Sequence, residues 1–174
     1  MNQLPKAIFD RTCRDCPRLA QFLDESQKKF PDYYCAPVPP FGDAAPKLLI
    51  VGLAPGLHGA NATGRPFTGD HAGLILYRTL HRFGFATKPE SIHARDDLQL
   101  PGARITNAVK CVPPENKPLP AEIKNCNRYL QAELATIPPG SVLLALGRIA
   151  HEAVLRALGL KTKLYTFAHG AQFA

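Results

Sequence analysis

Short apolar runs alternate with helical patterns along the chain, and this alternation limits the fold more than any other feature. Strand-like runs cover residues 47–53 (KLLIVGL), 103–109 (ARITNAV) and 141–147 (SVLLALG), and a fourth occupies residues 163–168 (KLYTFA). Helical spacing of apolar residues occurs between them and before them, at residues 16–30, 71–85, 121–135 and 148–158. Strands that alternate with helices need crossover connections, and these produce a parallel sheet covered on both faces. The sequence therefore predicts an α/β fold with a parallel sheet.

A glycine-rich loop follows the first apolar run and extends from Gly52 to Asp70 (GLAPGLHGANATGRPFTGD). It has neither the lysine of a Walker motif nor the glycine spacing of a dinucleotide-binding turn. Its backbone amides could still bind a phosphate or an oxyanion beside the N-terminus of the next helix. Because ligands of parallel sheets bind at the carboxyl ends of the strands, Gly52, Asn107 and Gly147 mark the predicted binding edge.

The composition predicts a soluble protein with a polyanionic partner. The 174 residues include 21 lysines and arginines against 14 acidic residues, a formal net charge of +7. Such a charge favours nucleic acid as the partner, although a solubilising surface is the simpler alternative. No run approaches the roughly 18 apolar residues that span a bilayer, and the N-terminus lacks a signal-peptide pattern. We therefore expect a single cytoplasmic domain over residues 1–174, with no membrane partner.

Four of the five cysteines are spaced as a possible ligand set. Cys13 and Cys16 form a C-x2-C pair, and Cys111 and Cys126 form a C-x14-C pair. A structural zinc site usually joins two tight knuckles, whereas four thiolates from two distant segments suit an iron–sulfur cluster. The spacing alone leaves a cluster, a zinc site and unligated thiols as alternatives. Cys35 has no partner at a ligand spacing, so we expect it not to be a ligand.

Several motifs, in chain order, resemble those of the iron–sulfur uracil-DNA glycosylases, and of their family 5 branch more than family 4. They are VPPFGD, GLAP with TGRPFTGD, ITNAVKC, ALGRIAH and the arrangement C-x2-C with C-x14-C. The TGRPFTGD motif is specific in this context, whereas ALG and C-x-x-C are weak signals by themselves. The resemblance implies a three-layer α/β/α fold of the uracil-DNA glycosylase type, with a four-stranded parallel sheet.

The resemblance also implies a DNA repair hydrolase that cleaves the N-glycosidic bond of uracil, or of another deaminated base, flipped out of DNA. Its partner would be DNA that contains such a base, and the enzyme would act as a monomer. The implied cofactor is a [4Fe–4S] cluster held by Cys13, Cys16, Cys111 and Cys126.

Two residues are implied to be catalytic, and each has a structural alternative. Asp70 matches a carboxylate that orients water or stabilises the cationic sugar, but an aspartate before a helix also serves as an N-cap. Asn107 would bind the Watson–Crick edge of uracil, or it would simply form a turn. Phe67 would stack on the extruded base, or it would pack in the core.

The remaining predictions concern the loop. The implied base-binding set, through backbone amides and side chains, is Gly52, Leu53, Ala54, Gly56, Phe67 and Asn107. Arg65 either contacts a phosphate or holds the loop, and His58 has no role that the sequence indicates.

The chain departs from the family pattern in three places. Ala62 stands where the family often has arginine, and Gly56 stands where it often has alanine. The HPS motif of the family does not occur, and His169 lies in the segment before that motif, so its role is not transferred. We therefore expect a domain that lacks its C-terminal portion and has an exposed sheet edge, with a divergent family member as the alternative.

Three functions follow from these observations. The first is a glycosylase that releases uracil and other deaminated bases. The second is a non-catalytic iron–sulfur module that binds nucleic acid, which the missing motif favours. The third is a metal-stabilised domain that binds a nucleotide or phosphate through the glycine-rich loop.

Overall fold

The computed structural model describes residues 5–174, and its helices and strands alternate as the sequence predicts. Within that range, five α-helices occur in chain order: α1 (Pro17–Lys29), α2 (Ala60–Thr63), α3 (His71–Arg82), α4 (Pro120–Leu134) and α5 (Arg148–Ala157). The strands of the sheet are β1 (Phe41–Gly42), β2 (Leu48–Gly52), β3 (Ala103–Asn107) and β4 (Val142–Ala145). Among the described residues, no helix has the length and apolar character needed to cross a membrane.

The sheet has the order β1-β3-β2-β4, and its three longer strands are parallel. The predicted α/β fold class is confirmed, but the fourth strand is not the predicted one. It is β1, which pairs antiparallel with β3, so the sheet is mostly rather than wholly parallel. The surrounding prolines leave room for only two residues of pairing, because proline cannot donate to a strand ladder.

The prediction of a strand at residues 163–168 is wrong, because this segment packs on α5 and not on the sheet. It begins in a 3₁₀ turn, Thr162–Leu164, that does not continue into a strand. The carbonyl of Tyr165 is then 2.7 Å from Nε2 of His151 on α5. The Phe167 ring also lies against His151, with 5.7 Å between the ring centroids. The ring of Phe167 is therefore used in a contact with α5, and Leu164 is exposed to solvent.

Two hydrophobic cores cover the two faces of the sheet, as the alternation of side chains along β2 requires. Leu49 and Val51 point to one face and pack with Leu130 of α4 and with α5. Ile50 points to the other face and packs with Tyr77 of α3. The three layers are therefore α4 and α5, the sheet, and α3.

Strand β4 forms an edge of the sheet, and two of its apolar side chains are open to solvent. Val142 is 61% exposed and Leu144 is 42% exposed, whereas Ile50 in the central strand is fully buried. The exposed sheet edge that the sequence predicts is therefore present. Apolar edge strands are templates for pairing with another chain, so this edge is a point where the surface is prone to association.

Buried charges connect β3 to α4 behind the carboxyl edge of the sheet. Glu133 is fully buried, and its Oε1 accepts a hydrogen bond of 2.7 Å from Nε of Arg104. Its Oε2 accepts one of 2.8 Å from Thr106 and lies 3.4 Å from Nζ of Lys110. One carboxylate thus neutralises two cations that are 7% and 2% exposed.

We expect Glu133→Gln to destabilise the protein strongly. The change leaves Arg104 and Lys110 buried without a counter-charge, which costs about 3–5 kcal/mol of unfolding free energy. Urea unfolding followed by circular dichroism measures this loss. The matched control is Glu90→Gln, because Glu90 pairs with Arg78 on the surface, and its loss should stay below about 1 kcal/mol. Equal effects of the two variants would contradict the role given to the buried network.

Candidate active site at the carboxyl edge of the sheet

Three of the predicted site residues meet where β2 and β3 end. Gly52 is the last residue of β2 and is in register with Asn107, the last residue of β3. A Cβ atom on residue 52 would lie 2.4 Å from Oδ1 of Asn107 and 2.7 Å from the ring of Phe67. Only glycine therefore allows the amide of Asn107 and the ring of Phe67 to approach this strand end together.

The side chain of Asn107 is buried, and its hydrogen-bonding groups are not all satisfied by the residues that the structure describes. It is 3% exposed, and within the described residues its Oδ1 atom has no hydrogen-bond partner. Burying an amide oxygen without a partner costs about 1–3 kcal/mol, so such atoms are rare unless a ligand or a water completes them. Asn107 lies within β3 and not in a turn, so the turn-forming alternative is wrong. Its amide is free to accept or donate hydrogen bonds at the carboxyl edge.

The backbone of Phe67 is held in a left-handed conformation. Its φ is +53°, which costs a residue with a side chain on the order of 1–3 kcal/mol. The neighbouring carbonyl of Pro66 accepts a hydrogen bond of 2.8 Å from the buried hydroxyl of Tyr77. The backbone of α3 also comes very close, since a Cβ on residue 73 would lie 1.9 Å from the carbonyl oxygen of Phe67. Gly73 and Tyr77 thus fix the strained residue from the α3 side.

Arg65 holds this loop from the other side. Its guanidinium is buried and pairs with Asp96, and its Nη1 donates a hydrogen bond of 3.0 Å to the Ser91 hydroxyl. Ser91 also lies 2.7 Å from the hydroxyl of Thr68. The alternative in which Arg65 contacts a phosphate is wrong, because the side chain is 5% exposed and already paired. No sequence pattern indicates Ser91 or Asp96, which lie in an irregular segment 26 and 31 residues beyond Arg65.

Asp70 is the N-cap of α3, and the cap uses one of its two oxygens. Its Oδ1 accepts a hydrogen bond of 2.9 Å from the backbone amide of Gly73. Its Oδ2 faces the glycine-rich loop, because a Cβ on Gly59 would lie 2.5 Å from it and one on Gly56 would lie 3.7 Å from it. The structural alternative for Asp70 is therefore correct, and it leaves a second carboxylate oxygen for chemistry.

The start of the loop presents backbone amides at the same edge. The carbonyls of Gly52 and Leu53 accept hydrogen bonds from the amides that follow β3. Within the part of the chain that the structure describes, the amides of Ala54 and Gly56 donate no hydrogen bond. Ala54 also packs against the cysteine-lined cluster. Free amides next to an unpaired asparagine oxygen form a polar surface that can hold a ligand with several carbonyl groups.

The four spaced cysteines line one cavity beside this edge. Cys13 and Cys16 precede α1, Cys111 follows β3, and Cys126 lies on α4. The rest of the wall is largely apolar, with Leu19 among its residues. The cavity thus joins the N-terminal segment, β3 and α4 around four thiols.

Burial disfavours the charged form of three of these thiols. Burial and the neighbouring thiols raise the pKa of Cys111, and burial raises the pKa values of Cys16 and Cys126. Such thiols become thiolates when a positively charged metal group binds. In residues 5–174, no three side chains of His, Cys, Asp or Glu are arranged around one ion.

Cys35 lies outside this cavity, as the sequence predicts. The Sγ of Cys35 is 3.5 Å from Nδ2 of Asn61, and the backbone amide of Cys35 donates a hydrogen bond to the carbonyl of Asn61. Asn61 belongs to α2, a single turn within the glycine-rich loop that the sequence did not indicate. The contact fastens the proline-rich connector to the loop.

We expect Asp96→Asn to loosen the Arg65 contact and to change the response to acid. Burial opposes ionisation of Asp96, but hydrogen bonds from Arg65 and from the Ile92 amide hold its pKa below the ordinary 3.8. The stabilisation is therefore present above that value and is lost as the pH falls through the lowered pKa. Unfolding free energies of the two proteins should differ by about 3 kcal/mol near pH 7, and the difference should shrink as the pH falls below 3.8. A difference that does not depend on pH would contradict this assignment.

Comparison with known proteins assigns the family. The family model of the uracil DNA glycosylase superfamily matches residues 39–173. A type-5 uracil-DNA glycosylase of Thermus thermophilus is 48% identical over 166 residues, which are 92% of this chain and 75% of the relative. One from Mycobacterium bovis is 43% identical over 91% of this chain and 62% of the relative.

A type-4 uracil-DNA glycosylase of Archaeoglobus fulgidus is more distant, at 34% identity over 71% of this chain and 55% of the relative. The chain spans 62–75% of the length of the two type-5 relatives described. The match with the family model covers most of the chain and all of the sheet. The chain therefore belongs to the uracil DNA glycosylase superfamily and is more similar to type-5 than to type-4 members.

Proposed function

We propose that this chain is a DNA repair glycosylase that hydrolyses the bond between uracil and deoxyribose in DNA. The observation that carries the proposal is the meeting of Gly52, Phe67 and Asn107 at one strand end. The second carboxylate oxygen of Asp70 faces the same glycine-rich loop, at Gly56 and Gly59. Membership of the superfamily and the names of the relatives support the same reaction. Release of a deaminated base is the first step of base excision repair.

The proposed site receives the base after it leaves the duplex. Extrusion costs roughly a few kcal/mol, and contacts with the extruded base must offset that cost. In the proposal, the ring of Phe67 stacks on the base, and such stacking contributes about 1–3 kcal/mol. The unpartnered oxygen of Asn107 accepts a hydrogen bond from the uracil ring nitrogen, and its amide group donates to a uracil carbonyl.

The free amides of the loop serve the leaving group. As the glycosidic bond breaks, negative charge builds on the uracil carbonyls, and preorganised N–H donors stabilise such a charge more than the ground state. The amides of Ala54 and Gly56 are the proposed donors. Uracil and other deaminated bases share a ring carbonyl beside an N–H, so the same contacts extend to deaminated purines.

Asp70 acts on the sugar side of the bond in this proposal. Its Oδ1 stays in the α3 cap, which fixes the carboxylate, and its Oδ2 faces the loop. A carboxylate in this position orients the attacking water and stabilises the cationic sugar that forms as the base departs. One residue thus has both a structural and a catalytic role.

We also infer that Cys13, Cys16, Cys111 and Cys126 hold a [4Fe–4S] cluster. The single cavity lined by all four thiols supports this ligand set, because iron–sulfur clusters are commonly held by four cysteine thiolates. When bound, the cluster supplies a covalent link between the N-terminal segment and α4. We also propose that the enzyme acts as a monomer.

We expect Asp70→Asn to slow uracil release without unfolding the protein. Asparagine caps a helix about as well as aspartate, so α3 should keep its stability. The negative charge is lost, and the rate of uracil release in single-turnover assays should fall about 10²- to 10⁴-fold. The substrate is a labelled duplex with one G·U pair, and alkaline cleavage reports the abasic site.

The matched control is Asp97→Asn, which makes the same change at an exposed aspartate. This variant should release uracil at the wild-type rate, and both variants should unfold at the wild-type temperature. Full activity of Asp70→Asn would reject the catalytic role of Asp70. Binding of DNA by the wild-type protein without any release of uracil would instead support a non-catalytic module and sink the proposed function.

We expect Cys111 to be a ligand of the cluster and Cys35 not to be one. Protein purified without oxygen should carry roughly four irons and four sulfides per chain, and Cys111→Ser should lose most of both. Cys35→Ser is the matched control, because its thiol lies outside the cavity, and it should keep the full content. Zinc in place of iron, or equal losses in both variants, would contradict the inferred ligand set.

A further inference from the structure

Three aromatic rings form a cluster on the outer side of the glycine-rich loop, and none of them is used by the proposed chemistry. The rings of Phe30 and Tyr33 are stacked, with centroids 4.7 Å apart and planes inclined by 14°. His58 is perpendicular to both, with centroids 5.3 Å from Phe30 and 5.9 Å from Tyr33. These three distances place His58 beside the stacked pair and not above it. We call these residues the aromatic platform.

The platform is ordered by a hydrogen bond and yet open to solvent. The hydroxyl of Tyr33 is 2.9 Å from Nδ1 of His58, which fixes the imidazole against the pair. His58 is exposed, and Phe30 and Tyr33 are only half-buried. An exposed ring that is held in place loses little conformational entropy when a ligand stacks on it, so a fixed ring binds better than a mobile one.

The platform is continuous with the proposed site. His58 precedes Gly59, and a Cβ on Gly59 would lie 2.5 Å from Oδ2 of Asp70. Gly59 therefore lies against the carboxylate of Asp70. Consecutive Cα atoms are about 3.8 Å apart, so the Cα of His58 is only that much further along the loop. The connector that carries Tyr33 is bound to the same loop, because the amide of Tyr34 donates to the carbonyl of Ala62. A strand with a nucleotide at Asp70 would therefore have its next nucleotide near His58.

One cation lies against the platform, and two others lie on or beside the segments that carry it. The ammonium of Lys29 lies 5.4 Å from the centroid of Phe30, and the guanidinium of Arg11 lies 4.8 Å from the centroid of Tyr34. Lys28 is also exposed, and one acidic residue, Asp32, lies in the same stretch. Exposed rings next to Lys and Arg are the combination that binds single-stranded nucleic acid, with stacking for the bases and cations for the phosphates.

We propose that the aromatic platform, with His58 as its exposed member, stacks an unpaired base that flanks the uracil. The proposal rests on the function proposed above and adds a second nucleotide subsite to it. In a duplex the flanking base is held by its own pair, whereas in a single strand it is free to stack on the platform. The proposed enzyme therefore binds uracil in single-stranded DNA through two bases, one in the site and one on the platform.

A cycle of protein and substrate variants tests this subsite by binding alone. The probe is a single-stranded oligonucleotide with one 2′-fluoro-deoxyuridine, because fluorine on the sugar slows cleavage of the glycosidic bond. The flanking base is replaced by an abasic residue on the 5′ side or on the 3′ side. Fluorescence anisotropy gives Kd for the wild-type protein, for His58→Ala and for Phe83→Ala. Phe83 is the control because its ring is 69% exposed and lies at the far end of α3, about 18 Å from Asp70.

For the wild-type protein, removal of one flanking base should raise Kd by about tenfold, within the range for a stacked base. His58→Ala should raise Kd by the same factor on the intact strand and show no further change on the abasic strand. Phe83→Ala should behave as the wild-type protein does. Tyr33→Phe keeps the ring but loses the hydroxyl, so it should show a smaller, partial loss.

The outcomes that overturn the platform differ from those that overturn the function. If His58→Ala raises Kd by the same factor on intact and abasic strands, the two losses multiply and the flanking base does not stack on His58. That result rejects the platform even where uracil is released normally. Absence of uracil release from a normal substrate by the wild-type protein would reject the proposed function, and the Kd cycle would still decide whether a base stacks on His58.

Discussion

The close approach at Gly52 is the constraint on which the site depends. With no side chain at the end of β2, the amide of Asn107 and the ring of Phe67 occupy the space that a Cβ would fill. The parallel register of β2 and β3 delivers Asn107 to that point, and the glycine-rich loop delivers Phe67. The glycines are therefore needed less for flexibility than for allowing side chains and backbone to meet around a flat ligand.

Buried contacts around the site offset the free-energy cost of this close approach. A left-handed backbone at Phe67 and a buried, unpartnered oxygen on Asn107 each oppose folding. They are offset by buried contacts that fix the loop from both sides, the Arg65–Asp96 pair and the Tyr77 hydrogen bond. The same loop supplies Asp70 and, on its outer face, His58. The contacts that make the loop rigid are thus the same contacts that hold its strained backbone in place.

The fold class and the strand ends that meet at the carboxyl edge can be predicted from the sequence, because both depend on local signals. Apolar runs that end in Gly52 and Asn107 mark the strand ends, and an aspartate before a helical pattern marks the cap at Asp70. The remaining contacts join distant segments without a motif. Asp96 has no pattern that connects it to Arg65, and an irregular segment carries it. The strand predicted at residues 163–168 fails for a related reason, since this segment contacts α5 through Tyr165 and Phe167 and the spacing of apolar residues does not distinguish such a segment from a strand.

The most direct test of the central claim is a structure of this protein with a duplex that carries one 2′-fluoro-deoxyuridine opposite guanine. The account predicts that the uracil lies outside the base stack, within about 4 Å of the Phe67 ring. One edge of the uracil should form hydrogen bonds with the Asn107 amide, and Oδ2 of Asp70 should face the sugar. A uracil that remains stacked in the duplex, or that is bound away from Gly52 and Asn107, would contradict the account.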